Sequence, residues 1–597
     1  MTTPQIIAFG IIFASLILFA WGRWRYDIVA MGALVVSVIC GIVPSEDAFA
    51  GFGDPAVITV AAVLILSQAL QRSGAINVLA ASIGQLPNNS IMQIGALTLT
   101  VAVLSAFMNN VGALALMLPV AIRAAQASDI PPSRVLMPIA FGSLLGGLAT
   151  LIGTPPNIII SSYRAEVLGK SFGEGGGFGM FDFAPVGAVA ALAGILFIVL
   201  IGYRLIPHRE GGDTALDDLM QIDEYVTELA VPEDSDLIGK PVRELVVLAD
   251  GDISVVAVIR NGEKELAPPW YTRMLPGDHL IIEGGTEAIS IAVEASGFDM
   301  VTDKELGTAS LTSDEVIVLE AVVNPGSRLE GRTAGGLRIN SRYGVNILAV
   351  ARQGKPIRDR IGHIRFQAGD VVLIQGAEQL LYESLNSLGC LPLAAREITV
   401  GQQKSFLPLA IFAAAIAAAV FGFVRIDVAF VAAVVVLVTT KLFPLREMYD
   451  SVEWPIIILL GAFLPVGAAL NSTGATGLIA DSIIALAGGM PLWVMLVTIM
   501  TISAVLSAVI NNAATAVLMA PIAVSVANIV GVNFDPFLMA VAIGSSSAFR
   551  TPIGHQSNLL VMGPGGYKFG DYWRMGLPLT IITFAIAAPM LILIWGP

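Results

Sequence analysis

Two short polar segments interrupt otherwise apolar sequence, and each occurs twice. The first runs Leu104-Ser105-Ala106 to Asn109-Asn110 and returns as Leu506-Ser507-Ala508 to Asn511-Asn512, with Pro119 and Pro521 following. The second is a proline-containing break, Gly153-Thr154-Pro155-Pro156-Asn157 and Arg550-Thr551-Pro552-Ile553-Gly554-His555-Gln556-Ser557-Asn558. A proline inside a helix frees carbonyl oxygens, and Asn, Ser and Thr add neutral oxygen donors. Such oxygens suit Na+ without a buried carboxylate. Helix N-termini at the same depth aim unpaired N–H groups and a positive partial charge inward, which suits an anion. Two copies therefore predict two cation sites flanking one anion site. The competing reading takes the Asn residues as interhelical hydrogen-bond glue and the prolines as kinks. It serves either motif alone and weakens where both recur together.

These motifs need a membrane around them. The chain is 55% hydrophobic and 13% charged, against about 25% charge in soluble domains, so it reads as a polytopic α-helical protein of the lipid bilayer. Apolar runs lie near 5–22, 27–43, 55–71, 91–107, 111–127, 135–151 and 184–206, and near 406–423, 426–443, 454–470, 491–509, 513–530, 537–550 and 576–595. The first lacks a basic n-region and cleavage site and reads as a retained span. The halves, 1–208 and 404–597, keep register: Asp27 and Asp427, Pro44 and Pro444, and Pro55 and Pro455 stand 400 apart, while the Asn-Asn pairs, Pro119 and Pro521, and Gly142-Ser143 and Gly544-Ser545 stand 402 apart. If the fourth and fifth runs of each half form a re-entrant hairpin tipped by Asn-Asn, five full spans remain per half. The copies then insert as inverted repeats. With the N-terminus outside, Arg23, Arg25, Arg72, Arg123, Arg134, Arg204, Arg209, Lys441, Arg446, Lys568 and Arg574 fall inside and only Arg164, Lys170 and Arg425 outside, as the positive-inside rule asks. The stretches 472–490 and 527–536, free of Lys and Arg, read as outer loops. This places the chain as a multi-pass protein of the plasma (inner) membrane.

Residues 209–400 hold 17 basic and 31 acidic residues, so the whole excess of 14 negative charges sits in one polar block, on the cytoplasmic side in this topology. No basic stripe exists for nucleic acid, and Cys40 and Cys390 give no disulfide framework. The block repeats at an offset of 92: Glu228 and Glu320, Arg260 and Arg352, Gly277-Asp278 and Gly369-Asp370. Alternating runs such as 253–259, turned by Asn261-Gly262, read as β-hairpins. The signatures at 276–284 and 368–376 resemble TrkA-C domains, the C-terminal domains of regulators of potassium conductance (RCK), over 221–300 and 313–392. The resemblance implies a regulatory α+β module that senses a nucleotide or an ion. A plain dimerisation scaffold stands beside it as the alternative, since no phosphate-binding Gly-rich loop is visible.

Both membrane halves resemble the divalent anion:sodium symporter family of the ion transporter superfamily, and the combination with paired TrkA-C domains resembles its sulfate-transporter branch. The resemblance implies a homodimeric, elevator-type carrier. One Na+ would be held by Ser105, Asn109, Asn110, Gly153, Thr154 and Asn157, and a second by Ser507, Asn511, Asn512, Thr551 and Asn558. The anion would lie between the tips, in reach of Asn110, Asn512, Thr154, Thr551 and Arg550. Val111 and Ala513 stand where the family has Thr, which favours sulfate over a dicarboxylate. Arg550 reads either as a counter-charge to the anion or as an Arg snorkelling to the interface; His555 reads as a donor or pH sensor, or as a packed neutral side chain. No Walker or H-E-x-x-H motif appears, so the chain reads as a carrier and not an enzyme. A dicarboxylate or sulfonate carrier, an exchanger or efflux carrier, and a ligand-gated channel remain as alternatives.

Overall fold

In lipid every backbone polar group must find its partner within the chain, and the charge-free runs accordingly form helices. The computed structural model describes residues 1–597 apart from 22, 74–88, 129, 171–174, 208–225, 249–252, 261–262, 267, 285, 302–315, 338, 354, 358–360, 394–404, 488–489 and 597. The first half holds α1 (Thr3–Trp21), α2 (Tyr26–Ile39), α3 (Pro55–Arg72), α4 (Ser90–Ser105), α5 (Asn110–Ala127), α6 (Ser133–Gly147), α7 (Pro155–Val167) and α8 (Ala184–Phe197), which runs on through a π turn to Leu205. Among the described residues five helices are long and apolar enough to cross a membrane: α3, the α8 segment to Leu205, and three of the second half. Others are shorter; fourteen-residue α2 rises only about 21 Å.

The polar block carries two five-stranded sheets. The first comprises β1 (Val226–Ala230), β2 (Ile253–Arg260), β3 (Glu263–Leu266), β4 (His279–Gly284) and β5 (Asp299–Val301), in the order β3-β2-β4-β1-β5. The second comprises β6 (Val316–Val323), β7 (Val345–Arg352), β8 (Lys355–Pro356), β9 (Val371–Ala377) and β10 (Cys390–Pro392), in the order β8-β7-β9-β6-β10. Helices α9 (Thr286–Ser296) and α10 (Glu378–Leu388) accompany them. All strand pairings are antiparallel, and a register shift falls at Val255/Ala257 in one sheet and at Ile347/Ala349 in the other. The expected turn at Asn261-Gly262 lies outside the described residues, but β2 and β3 pair across it. Each sheet keeps one buried aspartate: Asp278 accepts from Arg260 Nε and Nη2 and from Leu275 N, and Asp370 from Arg352 Nε and Nη2 and from Gln367 N, every distance 2.8 Å.

The second half holds α11 (Leu407–Val420), α12 (Ile426–Thr439), α13 (Trp454–Ser472), α14 (Ala475–Ala487), α15 (Leu492–Ser507), α16 (Asn512–Val530), α17 (Asp535–Ser546), α18 (Gln556–Met562) and α19 (Asp571–Trp595). Helix α14 corrects the reading of 472–490 as an outer loop. Lack of Lys and Arg is compatible with a loop, but Ala475, Ala480 and Ile483 are buried on one side of a helix.

The halves interlock: α2 packs on α13 and α12 on α3, while α7 crosses to α16 and α17 and α18 crosses to α5 and α6. Close crossings depend on missing side chains. A Cβ on Gly142 would lie 2.8 Å from Thr98 O, and one on Gly544 2.5 Å from Met500 O, so α4 meets α6 as α15 meets α17. Arg164, bidentate to Asp535 at 2.8 and 2.9 Å and hydrogen-bonded to Gly176 O, ties α7 to the start of α17.

Candidate functional site

The two hairpins turn where Asn residues cap the returning helix. Asn109 Oδ1 accepts from Val111 N at 3.2 Å, and Asn511 Oδ1 from Ala513 N at 2.8 Å, the usual work of an N-cap. Each break is held open by an Asn one turn into the following helix. Asn157 Nδ2 donates to Gly147 O (3.2 Å) and Thr150 O (2.8 Å); Asn558 Nδ2 donates to Ala548 O (2.7 Å) and Thr551 O (3.0 Å). Gly147 O has no helical partner because Leu151 N donates to Met180 O, and Ala548 O has none because Pro552 carries no N–H; Thr150 O and Thr551 O lose theirs where the chain is extended at Thr154 (φ −151°, ψ 143°) and at His555 (φ −153°, ψ 142°).

This geometry sets a register that the prolines obscure. Thr150-Leu151-Ile152-Gly153-Thr154-Pro155-Pro156-Asn157 lies opposite Thr551-Pro552-Ile553-Gly554-His555-Gln556-Ser557-Asn558, so the counterpart of Thr551 is Thr150, that of Gly153 is Gly554, and that of Thr154 is His555. The shared pattern Thr-x-Ile-Gly-x-x-x-Asn is the signal for Gly554, a residue that the proline motifs alone do not single out.

Around the first tip, one end of the Asn110 amide meets Ser105 Oγ at 2.6 Å, Gly153 O at 3.1 Å and Ser143 O at 3.2 Å. With nitrogen at this end, its two N–H groups are shared among these three acceptors. With oxygen there, four oxygens converge, the arrangement a hard cation takes. The opposite end of the amide lies 3.5 Å from His555 Nε2, whose Nδ1 accepts from Ser557 N and caps α18. The second tip is arranged differently. Ser507 Oγ donates to Ser545 O at 2.6 Å, and Asn512 Oδ1 accepts from the neighbouring Ala513 N at 2.8 Å. Thr551 Oγ1 accepts from Gly554 N.

Several buried oxygens here have no hydrogen-bond partner among the described residues: Thr154 Oγ1, Ser546 Oγ, Ser557 Oγ and Asn558 Oδ1. Buried polar groups are normally satisfied, so a cluster of orphaned oxygens at two helix breaks points to something they hold in another state.

A cavity of about 340 Å³ opens between the tips. Of the residues expected from sequence, Asn109, Gly153, Asn511 and Asn512 line it; Ser105, Asn110, Thr154, Asn157, Ser507, Thr551 and Asn558 are not among the lining residues. Arg550 is not on the cavity wall, and its Nε and Nη2 are buried without a partner among the described residues. The cavity adds residues outside the motifs: Arg25, Tyr26, Glu453, His555 and Gln556. Glu453, just ahead of α13, accepts from Asn109 Nδ2 at 3.1 Å. It stands 344 residues from Asn109, and no local spacing could have joined them.

A membrane body of apolar helices, two hairpins and two broken helices around a central cavity defines a transporter. Residues 16–544 match the citrate transporter family, CitMHS, and the chain belongs to that family. It is 31% identical to an uncharacterized transporter of Synechocystis over 99% of this chain and 97% of the relative. It is 30% identical to the uncharacterized transporter YfbS of Escherichia coli over 99% of both chains. A more distant relative, the probable sodium/sulfate cotransporter 3 of Chlamydomonas reinhardtii, is 20% identical over 92% of this chain and 83% of its own length.

Proposed function

We propose that this transporter is a Na+-coupled symporter of a small divalent oxyanion, with sulfate the first candidate. The observation that carries the reading is the convergence of Ser105 Oγ, Asn110, Ser143 O and Gly153 O at one tip, with orphaned oxygens in both breaks. Ser105, Asn109, Asn110, Gly153, Thr154 and Asn157 take one Na+. Ser507, Asn511, Asn512, Thr551 and Asn558, with Gly554 added by register, take the second. The anion sits in the cavity between the capped N-termini of α5 and α16, where N–H groups and helix dipoles favour negative charge. The sodium/sulfate relative supports the ion pair named here. The halves act as inverted repeats moving elevator-like in a homodimer, with the two sheets as cytoplasmic TrkA-C-like regulators.

A second reading, a carboxylate such as citrate or succinate, draws on the family description and on the cavity, whose 340 Å³ lies in the range of organic-ligand pockets. Uptake of radiolabelled sulfate into proteoliposomes, with and without an inward Na+ gradient and competed by thiosulfate, succinate, citrate and taurine, separates them. Gradient-driven sulfate uptake resisting succinate and citrate is the expected result. Uptake of citrate in place of sulfate transfers the site to the second reading, and indifference to Na+ removes both cation sites.

A further inference from the structure

The cavity of a proposed anion carrier contains an acid. Among the described residues that line it, Glu453 is the only acidic side chain, and it accepts from the neutral Asn109 amide, not from a base. Arg25, the one arginine among the described lining residues, is already bidentate to Asp27 at 3.1 and 3.2 Å, and His555 spends Nδ1 on the cap of α18. Among the described residues, no cation on the cavity wall therefore neutralises the carboxylate. A carboxylate repels a divalent anion in the same cavity and attracts a cation, and a cation at the tip in turn favours the ionised form of an acid that exclusion of water disfavours.

We propose that Glu453 is a positioning and selectivity residue that sets the two affinities of the carrier in opposite directions. Its carboxylate holds Asn109 by the amide nitrogen, so the Asn109 oxygen stays directed at the N-terminus of α5, beside the Ser105–Asn110–Gly153 convergence. Its negative charge strengthens cation binding at that tip and weakens the anion until the cation is in place. An anion that enters first meets an uncompensated carboxylate; one that follows Na+ meets a neutralised site. Glu453 thereby favours an order of binding, cation before anion, and restrains uptake of the anion without the ion. This rests on the symporter reading above.

The test is Glu453→Gln and Glu453→Asp in proteoliposomes, reading the Na+ half-saturation and the sulfate KM separately. Glu453→Gln is expected to raise the Na+ half-saturation about tenfold and to lower the sulfate KM at saturating Na+, while Glu453→Asp, which keeps the charge, returns both towards wild type. A merely structural side chain would lower the maximal rate with both half-saturations unmoved. That result, or both constants moving the same way, overturns the proposal. Should Glu453→Gln fail to fold, Glu453→Asn removes the same charge on a shorter amide; a raised Na+ half-saturation with a lowered sulfate KM is again expected, and an unchanged Na+ half-saturation overturns it. Thermal stabilisation of the purified protein by NaCl against choline chloride reads the cation arm without any anion. If sulfate is not carried but Glu453→Gln still weakens that stabilisation, the substrate assignment fails and the cation role of Glu453 stands. Equal stabilisation of wild type and Glu453→Gln defeats it.

Discussion

The two helix breaks share a backbone and differ in what surrounds it. In both, an Asn amide donates to two carbonyls released by the interruption, and the residue ahead of the half-helix is extended to within a few degrees of its counterpart. Around the first break, Thr154 keeps an unpaired hydroxyl and Asn110 gathers three further oxygens. Around the second, Ser546, Ser557 and Asn558 keep unpaired oxygens among the described residues, while His555 caps its own helix and Asn512 turns to its own backbone. Among the described residues, the second break also touches the second sheet. Leu559 O, on α18, lies 2.9 Å from where a Cβ on Gly369 would be, and Gly563 abuts the Gly369 carbonyl so closely that any side chain there would overlap it. The turn of the second sheet is thus seated on the half-helix that carries Asn558. The matching turn of the first sheet, at Gly277, has open space around it. One scaffold serves two ends: the first break is arranged around a convergence of oxygens, and the second is in contact with the module proposed to regulate it.

The largest expected effect breaks the symmetry between the tips. Asn110→Ala removes the centre of the convergence and is expected to raise the Na+ half-saturation of uptake by about tenfold to a hundredfold. Asn512→Ala, whose amide is engaged locally, is expected to cost less. Equal losses in the Na+ titration would mean that the second tip rearranges into the same cage. By contrast, Asn157→Ala and Asn558→Ala are expected to match, because each strands two buried carbonyls. Each should destabilise by about 2–3 kcal/mol, read as paired drops in the melting temperature of the purified protein. A large inequality would show that the two breaks are not held alike.

How much of the molecule is legible in the sequence depends on how local the signal is. Charge-free runs locate the helices, the Asn-Asn pairs locate the hairpin turns because Asn caps the helix that begins there, and the 92-residue offset locates two sheets with the same strand order. The prolines mislead: Pro155 and Pro552 sit at different places in the pattern, so the motifs align Thr551 with Thr154 when its counterpart is Thr150. Glu453 is out of reach because its role arises from a contact across 344 residues. The seat of Gly369 on α18 is equally hidden, since Gly277 and Gly369 are alike in sequence and conformation and only the tertiary fold tells them apart.

The seated face also changes an acid. Glu228 in the first sheet is paired with His279 at 2.5 Å; in the second, Glu320 and Val371 occupy those positions. Glu320 shares a strand face with Val322, and Val322, Ala351, Val371 and Leu393 pack into the hydrophobic cluster of the membrane body. Burial pushes the Glu320 carboxyl up to about 7 from an ordinary 4.5. Because the folded value is raised, the stability it contributes is fully present below pH 4.5 and is lost as pH rises through 7. Hydrogen exchange of β6 and β9 in the intact protein is expected to report a loss of about 2 kcal/mol between pH 5 and pH 8, less than the full shift because the carboxyl is partly exposed. Glu320→Gln should flatten that dependence, and an unchanged slope would place the titration elsewhere.

The smallest effect isolates the seat itself. Gly277 and Gly369 both adopt left-handed backbone, at φ 77° and 87°, so alanine at either position costs about 1 kcal/mol from conformation alone. Gly369→Ala must in addition push its methyl against Leu559 O at 2.9 Å, whereas Gly277→Ala meets nothing. The difference between the two variants therefore measures contact with α18 after the conformational term has cancelled. Gly369→Ala is expected to lose more protection at 368–371 than Gly277→Ala loses at 276–279, and to shift the Na+ titration of uptake while Gly277→Ala leaves it alone. Should both variants alter transport equally, the signal would pass through the modules by a route other than this turn. Should neither do so, the seat would be a structural contact with no bearing on the second break.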